Sequence, residues 1–375
     1  MSSSDERYAF IAEWYDVNAA LIRNYHFLYY QNDSTIEMFD IQNKRVFLKR
    51  SKFENLSIKD LYVGSIINVH ARQLKLTDYA DQLTKNKLEK SRSRTFAMIK
   101  PEALIHSGAI ISRIYEENFL ICQIKKVQLT RADAAIFYDE HKGKPFFGEL
   151  LDYLTSGPVI ALELMGEDCV KKWRACLGPT NSLKAKQDAP NSIRAIYGTD
   201  GTKNACHGSD SPSSSARELE FFFGLNSPKP KAEFKNCTLC IVKPHAVANN
   251  LLGNILSAIQ QEGFELSTLQ MYRLEKNDAE EFFEIYKGVV SEYCGMVDEL
   301  CSGNCVAIEI TKDENTPTKF REFVGPSDPE IARHLRPHTL RAQFGVDKVK
   351  NAVHCTDLPD DGILEVEYFF RILNS

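Results

Sequence analysis

The stretch TFAMIKPEAL at residues 95–104 recurs as TLCIVKPHAV at residues 238–247. Each copy is an apolar run, typical of a buried strand, that ends in Lys-Pro. Further pairs follow in the same order along the chain: SGPVIALEL (156–164) with SGNCVAIEI (302–310), GPTN (178–181) with GPSD (325–328), SIRAIYG (192–198) with TLRAQFG (339–345), and ELEFFF (218–223) with EVEYFF (365–370). A repeat of this length dictates the domain plan, and it predicts two homologous domains at 94–223 and 237–371.

Strand-like and helix-like patterns alternate within the first repeat. They comprise strands at 95–99, 119–129 and 159–164, and helices at 110–115, after Thr130, and at 168–177. Thr130 and Asp133 have the spacing of a capping box, which favours a helix start. The order β-α-β-β-α-β predicts an α+β chain with two tandem ferredoxin-like sheets, each with helices on one face.

Residues 1–91 share nothing with the repeat and are predicted to form a small antiparallel β module. Short alternating runs indicate strands at 25–30, 36–41, 46–49, 65–69 and 74–76. We interpret the basic stretch KNKLEKSRSR (85–94) as a solvated connection, with a docking patch as the alternative. GLNSPKPKAEFKN (224–236) is typical of an extended, solvated linker between the repeats.

Composition excludes several classes of protein. The 375 residues carry 46 basic and 51 acidic side chains, a net charge of −5 spread along the chain, so nucleic-acid binding is not expected. No apolar run reaches the length of a signal peptide core or a membrane span, so we expect a cytoplasmic protein. Ten cysteines lie mostly in apolar runs, as reduced thiols do, and we interpret Cys237 and Cys240, the only CxxC pair, as structural.

Aromatic residues near the N-terminus have two readings. They could line an exposed binding face, but packing in the core of the β module is the favoured interpretation. These residues are Trp14, Tyr25, Tyr29 and Tyr30.

Each repeat retains a set of groups suited to polyphosphate. The chain has no GxxxxGK[ST] loop and no HRD or DFG motif, so the two common phosphate-handling frameworks are absent from its sequence. Both repeats instead keep Lys before Pro, two separated Arg, a hydroxyl residue after Gly-Pro, Asn-x-x-His and a Glu. Cations and hydroxyls neutralise phosphoryl oxygens, and a neutral His can attack phosphorus. A single such His would more often be structural, but its repetition with the same companions favours a shared phosphate site.

At this point the motifs resemble a known family. TFAMIKP, KPFFGELLDYLTSGPVIALEL, RACLGPTNS, SIRAIYG and NACHGSDS closely resemble nucleoside diphosphate kinases over 94–223, and 237–371 resembles them more loosely. The first 91 residues, with LTDYAD at 76–81, resemble the DM-ten module of ciliary and axonemal proteins.

The resemblance implies transfer of a γ-phosphate from a nucleoside triphosphate to a nucleoside diphosphate through phosphohistidine. His207 would be the nucleophile, and Ser209 and Glu218 would orient it. Magnesium would enter with ATP or another nucleoside triphosphate, held through the phosphates rather than by protein ligands. The remaining contacts to phosphate, sugar and base would come from Lys100, Tyr138, Phe146, Arg174, Thr180, Arg194 and Asn204.

The second repeat is expected to be weak or inactive. Its retained positions are Lys243, Arg321, Ser327, Arg341, Asn351, His354 and Glu365. Phe283 stands where the first repeat has Tyr138, Cys355 replaces a glycine, and Tyr293 would have to stack on the base. In the first repeat, Gly201 leaves the wall opposite Phe146 without an apolar side chain.

Two functions remain open at this stage. One is a nucleoside diphosphate kinase that acts through its first repeat. The other is a non-catalytic adaptor of axonemal microtubules or a microtubule-organising complex, which the DM-ten resemblance implies together with tubulin contacts and a location at the cytoskeleton, centrosome, spindle or cilium. In either case the linker gives the repeats a high effective concentration, so we expect them to pair within the chain.

Overall fold

The computed structural model describes residues 6–374, except for 18, 55, 71 and 90. Residues 1–5 of the expected β module therefore lie outside the described residues. The chain forms one six-stranded sheet and one eight-stranded sheet, followed and flanked by helices.

The N-terminal module is an antiparallel sheet in the order β4-β3-β2-β1-β6-β5. Its strands are β1 (Arg7–Asp16), β2 (Leu21–Tyr30), β3 (Thr35–Asp40), β4 (Arg45–Lys52), β5 (Ile66–Val69) and β6 (Arg72–Tyr79). The five predicted strands are present, but the prediction missed β1, which pairs with both β2 and β6. Tyr25, Tyr29 and Tyr30 are buried and Trp14 packs against the same core, as the favoured interpretation expects.

The basic stretch at 85–94 is not a solvated connection. Helix α1 (Gln82–Leu88) begins at Asp81, whose side chain accepts a hydrogen bond from the Thr84 amide. Thr84 and Leu88 are buried, and strand β7 begins at Ser93. The prediction was wrong because Lys85 and Lys87 lie on the outer side of a helix whose opposite side packs against the module.

The two repeats have the same topology. Their strands are β7 (Ser93–Ile99), β8 (Leu120–Val127), β9 (Val159–Gly166), β10 (Cys206–Gly208), β11 (Cys237–Val242), β12 (Glu265–Tyr272), β13 (Cys305–Thr311) and β14 (Val353–Cys355). The first half of the sheet has the antiparallel order β10-β7-β9-β8, and the second half mirrors it as β12-β13-β11-β14. This is the ferredoxin-like arrangement that the sequence predicts.

The helices are distributed in matching positions along the two repeats. In the first repeat they are α2 (Ser107–Glu116), α3 (Arg131–Phe137), α4 (Phe147–Leu154), α5 (Cys169–Leu177), α6 (Ser182–Asp188), α7 (Ile193–Tyr197) and α8 (Pro212–Phe223). In the second they are α9 (Pro244–Ala248), α10 (Leu252–Gln261), α11 (Lys276–Phe282), α12 (Tyr293–Leu300), α13 (Thr316–Val324), α14 (Pro329–Leu335), α15 (Leu340–Phe344) and α16 (Gly362–Glu367). The capping box predicted at Thr130 and Asp133 opens α3.

Helices cover both faces of the large sheet, which corrects the expectation of one face. Along β7, Ala97 and Ile99 join the cluster formed with α2 and α5. Phe96 and Met98 point to the other side, into the cluster formed with α3, α4 and α8. A strand buried on both faces reads as a continuous apolar run, and TFAMI is such a run.

The repeats pair with each other, as the linker argument expects. Strands β8 and β12 meet at Lys125 and Gln270, which makes the sheet continuous. Helices α2 and α10 cross closely at two glycines: a Cβ on Gly108 would lie 2.4 Å from the Ser257 amide nitrogen, and one on Gly253 would lie 2.4 Å from that of Ser112. The reciprocity of these contacts indicates an approximate two-fold axis between the repeats.

The connection at 224–236 has no regular secondary structure but is not fully solvated. Ala232 is buried, and the amides of Glu233 and Phe234 donate to the Glu309 carboxylate. The linker therefore lies against the second repeat.

The remaining observations concern the CxxC pair and membrane-spanning helices. Cys237 and Cys240 are both buried in β11, and no group of three metal-ligating side chains occurs among the described residues. Within the described part of the chain, no helix is both long and apolar enough to cross a membrane.

Candidate functional site

His207 lies on the short edge strand β10, opposite Met98 of β7. Its Nε2 is 3.0 Å from Glu218 Oε2, and the Ser209 hydroxyl donates to the same oxygen over 2.7 Å. Glu218 and Ser209 are buried. A carboxylate at Nε2 favours the tautomer with its proton there, which leaves the Nδ1 lone pair available.

The opposite ring nitrogen faces Tyr138. The Tyr138 hydroxyl is 3.4 Å from His207 Nδ1, and burial raises the pKa of Tyr138 well above its ordinary value. The phenol therefore stays protonated as a donor near the reactive nitrogen. Phe96 and Phe137 flank the imidazole, with ring centroids 5.9 and 5.4 Å away, and restrict its rotation.

Lys100 follows β7 and ties two other predicted residues into the site. Its Nζ donates to Asn204 Oδ1 over 2.7 Å and to the Thr202 carbonyl over 2.9 Å. The Asn204 amide in turn donates to the Thr180 carbonyl over 2.9 Å. Burial lowers the pKa of Lys100 to about 8, so its positive charge is less firmly held than that of an exposed lysine.

The two predicted arginines differ in their surroundings. Arg194 donates to the carbonyls of Gly178 and Cys206 and is largely buried, which lowers its pKa. Arg174 is exposed, and its guanidinium makes no hydrogen bond or ion pair with any other residue that the structure describes. Arg194 thus braces the site, whereas the Arg174 guanidinium is available at its mouth.

Phe146 and Gly201, which the sequence predicts on opposite sides of a base, are both exposed. Phe146 is 46% exposed at the start of α4. Its ring contacts the imidazole of His141 and the ammonium group of Lys144. A Cβ added to Gly201 would meet nothing within 4 Å, so the space beside this glycine is open.

Sequence reasoning missed Glu102 and Tyr153. Glu102 Oε1 accepts from the Ala205 amide over 2.9 Å and its other oxygen accepts from the Tyr153 hydroxyl, which fixes the turn between Asn204 and His207. In the second repeat, His245 takes the position of Glu102 and Glu299 that of Tyr153; the two side chains are 2.7 Å apart. This paired exchange is visible when the repeats are aligned and could have identified both positions.

The second repeat keeps the same frame around His354. Its Nε2 is 2.9 Å from Glu365 Oε2, and Thr356 donates to the same oxygen. Arg341 donates to the carbonyls of Gly325 and Val353, as Arg194 does at the equivalent carbonyls. The His354 side chain is 6% exposed, against 17% for His207.

The lysine and asparagine of the second repeat are less well connected. Lys243 Nζ donates to the Val349 carbonyl over 2.8 Å, and burial lowers its pKa to about 7. The Asn351 amide donates to the Ser327 carbonyl. Asn351 Oδ1 is buried without a hydrogen-bond partner among the described residues, whereas the equivalent oxygen of Asn204 accepts from lysine.

Tyr293 does not take the place of Phe146. Helices α4 and α12 begin at Phe147 and Tyr293, preceded by the caps Phe146 and Glu292. Tyr293 is therefore equivalent to Phe147 and packs against the apolar core. The predicted correspondence with Phe146 is wrong because one residue is inserted in the loop before the helix.

Cys355 is accommodated by smaller neighbours. A Cβ on Gly208 would lie 2.5 Å from Trp173 and 2.9 Å from Leu177. In the second repeat these neighbours are Phe320 and Val324. The glycine is needed for close approach to the indole, and Gly208 is not among the glycines with positive φ.

Comparisons with known proteins cover the whole chain. The family model described as nucleoside diphosphate kinase matches residues 93–227 and again 236–374. Residues 2–90 match the model for the nucleoside diphosphate kinase 7 N-terminal PH domain, which replaces the expected DM-ten assignment.

Individual relatives include full-length matches. Nucleoside diphosphate kinase homolog 7 from Mus musculus is 53% identical over all of this chain and 95% of its own length, and the Rattus norvegicus protein of that name has the same values. A crystal structure of the Aquifex aeolicus nucleoside diphosphate kinase is 43% identical, with 37% of this chain and 99% of that one covered and a TM-score of 0.36.

Proposed function

The chain belongs to the nucleoside diphosphate kinase family, and we propose that its first kinase domain transfers the γ-phosphate of a nucleoside triphosphate to a nucleoside diphosphate through His207. The observation that carries the proposal is the His207 ring, held at Nε2 by Glu218 and open at Nδ1 beside the Tyr138 hydroxyl. This geometry supports a nucleophilic nitrogen aimed away from its anchoring carboxylate.

In the proposed reaction, the Nδ1 lone pair attacks the γ-phosphorus, the bond from phosphorus to the β-phosphate oxygen breaks, and the nucleoside diphosphate leaves. A terminal phosphate oxygen of the acceptor diphosphate then attacks the same phosphorus, and the P–N bond breaks. The Nε2 proton stays on the ring, paired with Glu218, through both steps. Lys100 and Arg174 would neutralise phosphate charge, Tyr138 would donate to the transferring group, and Arg194 would hold the strand that carries His207.

The remaining contacts follow from position. Asn204 would bind a sugar hydroxyl, Thr180 a phosphate, and Phe146 one face of the base. Donors near His207 are ammonium, guanidinium, amide and hydroxyl groups, which suit phosphate oxygens rather than a cation. Magnesium would therefore enter on the nucleotide phosphates and add charge neutralisation there.

Labelling with γ-³²P-ATP and magnesium tests this assignment. We expect wild type and His354→Gln to take up acid-labile label that a diphosphate acceptor removes, and His207→Gln to take up none. His354→Gln is the matched control, because it changes the equivalent histidine of the other domain. Label in His207→Gln at the wild-type level would refute the role of His207, and an unlabelled wild type would favour a purely non-catalytic adaptor.

We also propose that the N-terminal module docks the chain on an acidic protein surface of the microtubule type, which would place it at the cytoskeleton. Strand β4 forms an edge of its sheet, and residues 44–52 contain five basic side chains and no acidic one. Val46 and Phe47 are 50% and 37% exposed on the same strand. A basic edge with exposed apolar residues supports an acidic partner.

Cosedimentation with polymerised tubulin tests this second function. Exchange of Lys44, Arg45 and Lys49 for Glu should abolish pelleting if β4 is the docking edge. Exchange of the exposed Lys184 and Lys186 of α6 for Glu is the control and should leave pelleting intact. Equal loss in both variants would indicate nonspecific charge attraction, and pelleting of the β4 variant would rule out this edge.

A further inference from the structure

Asp357 of the second kinase domain binds two groups at the mouth of its own site. Its Oδ2 accepts a hydrogen bond of 2.7 Å from the Tyr286 hydroxyl, and its Oδ1 is paired with Arg321 Nη1. Arg321 is the counterpart of Arg174, the available guanidinium of the first site. The Asp357 carboxylate is thus paired with the guanidinium that a nucleotide phosphate would otherwise contact.

The first domain shows why the aspartate behaves differently there. Asp210, equivalent to Asp357, accepts a hydrogen bond of 2.6 Å from the Ser214 hydroxyl in the first turn of the helix that follows it, α8. The position of Ser214 is Asp361 in the second domain, and a carboxylate cannot donate to another carboxylate. Asp357 therefore turns to donors from other elements.

A second substitution supplies one of those donors. Tyr286 stands where the first domain has His141, whose ring contacts Phe146 and lies 3.1 Å from Lys144 Nζ instead. The phenol reaches Asp357 across 71 residues of chain. Together with Arg321 it connects the loop before α12, helix α13 and the turn after β14.

The rim of the second site has also lost one pair of charged side chains. In the first domain, Arg217 and Glu140 face each other across the entrance with 3.6 Å between Nη2 and Oε2. Their counterparts are Leu364 and Ile285, each 62% exposed. The second site therefore lacks the Arg217 guanidinium, a positive charge that would attract a polyphosphate.

We propose that Asp357 acts as an internal anion that keeps nucleotide out of the second site, a contact here named the carboxylate latch and defined as Asp357 with Arg321 and Tyr286. The proposal rests on the assignment of both domains as nucleotide sites. It predicts one nucleotide per chain, bound at the first site.

The latch contributes little to the stability of the fold. The Arg321 side chain is 50% exposed and the Asp357 side chain 41% exposed, and ion pairs at such exposure contribute little to stability. Removal of the carboxylate should therefore leave the fold intact.

Isothermal titration of the full chain with MgADP tests the latch by stoichiometry. Wild type should bind one MgADP per chain and Asp357→Ala two. Asp210→Ala, the matched change in the first domain, should gain no further site. The double variant Asp357→Ala with Arg321→Ala should fall back to one, which would place the gained nucleotide at Arg321.

A second variant guards against a folding defect in Asp357→Ala. Asp361→Ser gives Asp357 the donor that Ser214 provides in the first domain, and it should likewise add a second nucleotide. The thermal midpoint shows whether each variant is folded. If Asp357→Ala and Asp361→Ser are both folded and both keep the wild-type stoichiometry, the latch is refuted. A wild type that binds two MgADP per chain would also refute it. If the wild type binds no MgADP and Asp357→Ala binds one, the latch would be supported but the activity proposed for the first domain would be refuted.

Discussion

Lys100 shows how burial sets the chemistry of a single residue. The residue is 5% exposed and its ammonium group donates to two oxygens, yet burial lowers its pKa to about 8. A lysine that keeps its proton below that value can pair with phosphate, and one that loses it cannot. The pH range of the activity should therefore carry the signature of this residue.

The predicted signature is a fall in kcat/KM as the pH rises through about 8, because the free enzyme loses the Lys100 charge there. Below that pH the lysine is protonated, so its titration causes no further change in rate. Lys100→Arg keeps its charge at every pH used, so its rate, although lower, should not fall in this range. A pH–rate profile of phosphate transfer measures both, and an unchanged descending limb in Lys100→Arg would contradict the assignment.

At this scale the sequence predicted the residues and not their partners. Lys100, Asn204 and Thr180 were each singled out, and the structure joins them through hydrogen bonds. Tyr293 was misplaced, because an inserted residue in an irregular loop leaves no pattern by which to align it. The bond between Tyr286 and Asp357 spans 71 residues, a distance that local patterns do not encode.

At the scale of elements, strand β10 and helix α5 pack so closely that the strand carries glycine at the contact. Trp173 donates from Nε1 to the His207 carbonyl over 3.2 Å, which holds the indole against Gly208. The second domain solves the same contact with Cys355 against Phe320. The side chains at the two sides of the contact have changed together, as close packing requires.

Gly208→Cys should destabilise the chain by about 1–3 kcal/mol, because its Cβ would overlap the indole. Combining it with Trp173→Phe should cost less than the sum of the two single changes, because the pair then resembles that of the second domain. Thermal unfolding of the four proteins in a double-mutant cycle measures the coupling. Additive effects would show that the indole does not impose the glycine.

Elements with a clear periodicity or cap were predictable, and those defined by packing were not. The capping box fixed the start of α3, and the apolar run at 95–99 gave β7. Helix α1 was mistaken for a solvated segment because its exposed side carries the charges that dominate a short stretch. The second layer of helices escaped prediction because an apolar run does not reveal how many of its faces are covered.

For the whole molecule, the approximate two-fold contact of α2 with α10 makes the two kinase domains one body. Gln260 donates to the Leu104 carbonyl and accepts from the Gly108 amide across this contact. Gly108 and Gly253 let the two helices approach until backbone meets backbone.

Gly108→Ala should weaken the contact between the domains, since its Cβ would lie 2.4 Å from the Ser257 nitrogen. We expect a loss of about 1–3 kcal/mol, seen as a lower thermal midpoint and faster tryptic cleavage in the linker at 224–236. Gly148→Ala is the control: it lies in helix α4 with nothing within 4 Å of the added carbon, and alanine favours helix. Equal effects of the two changes would exclude the helix contact as the cause.

The joined sheet also has a consequence for how the two sites can change over generations. In an assembly of two identical chains, every mutation appears in both active sites at once, so neither can be altered without the other. Here the two domains are encoded by separate parts of one gene, and every chain contains one copy of each. A mutation can therefore abolish catalysis in one domain, or give it another function, without changing the active site of the other domain.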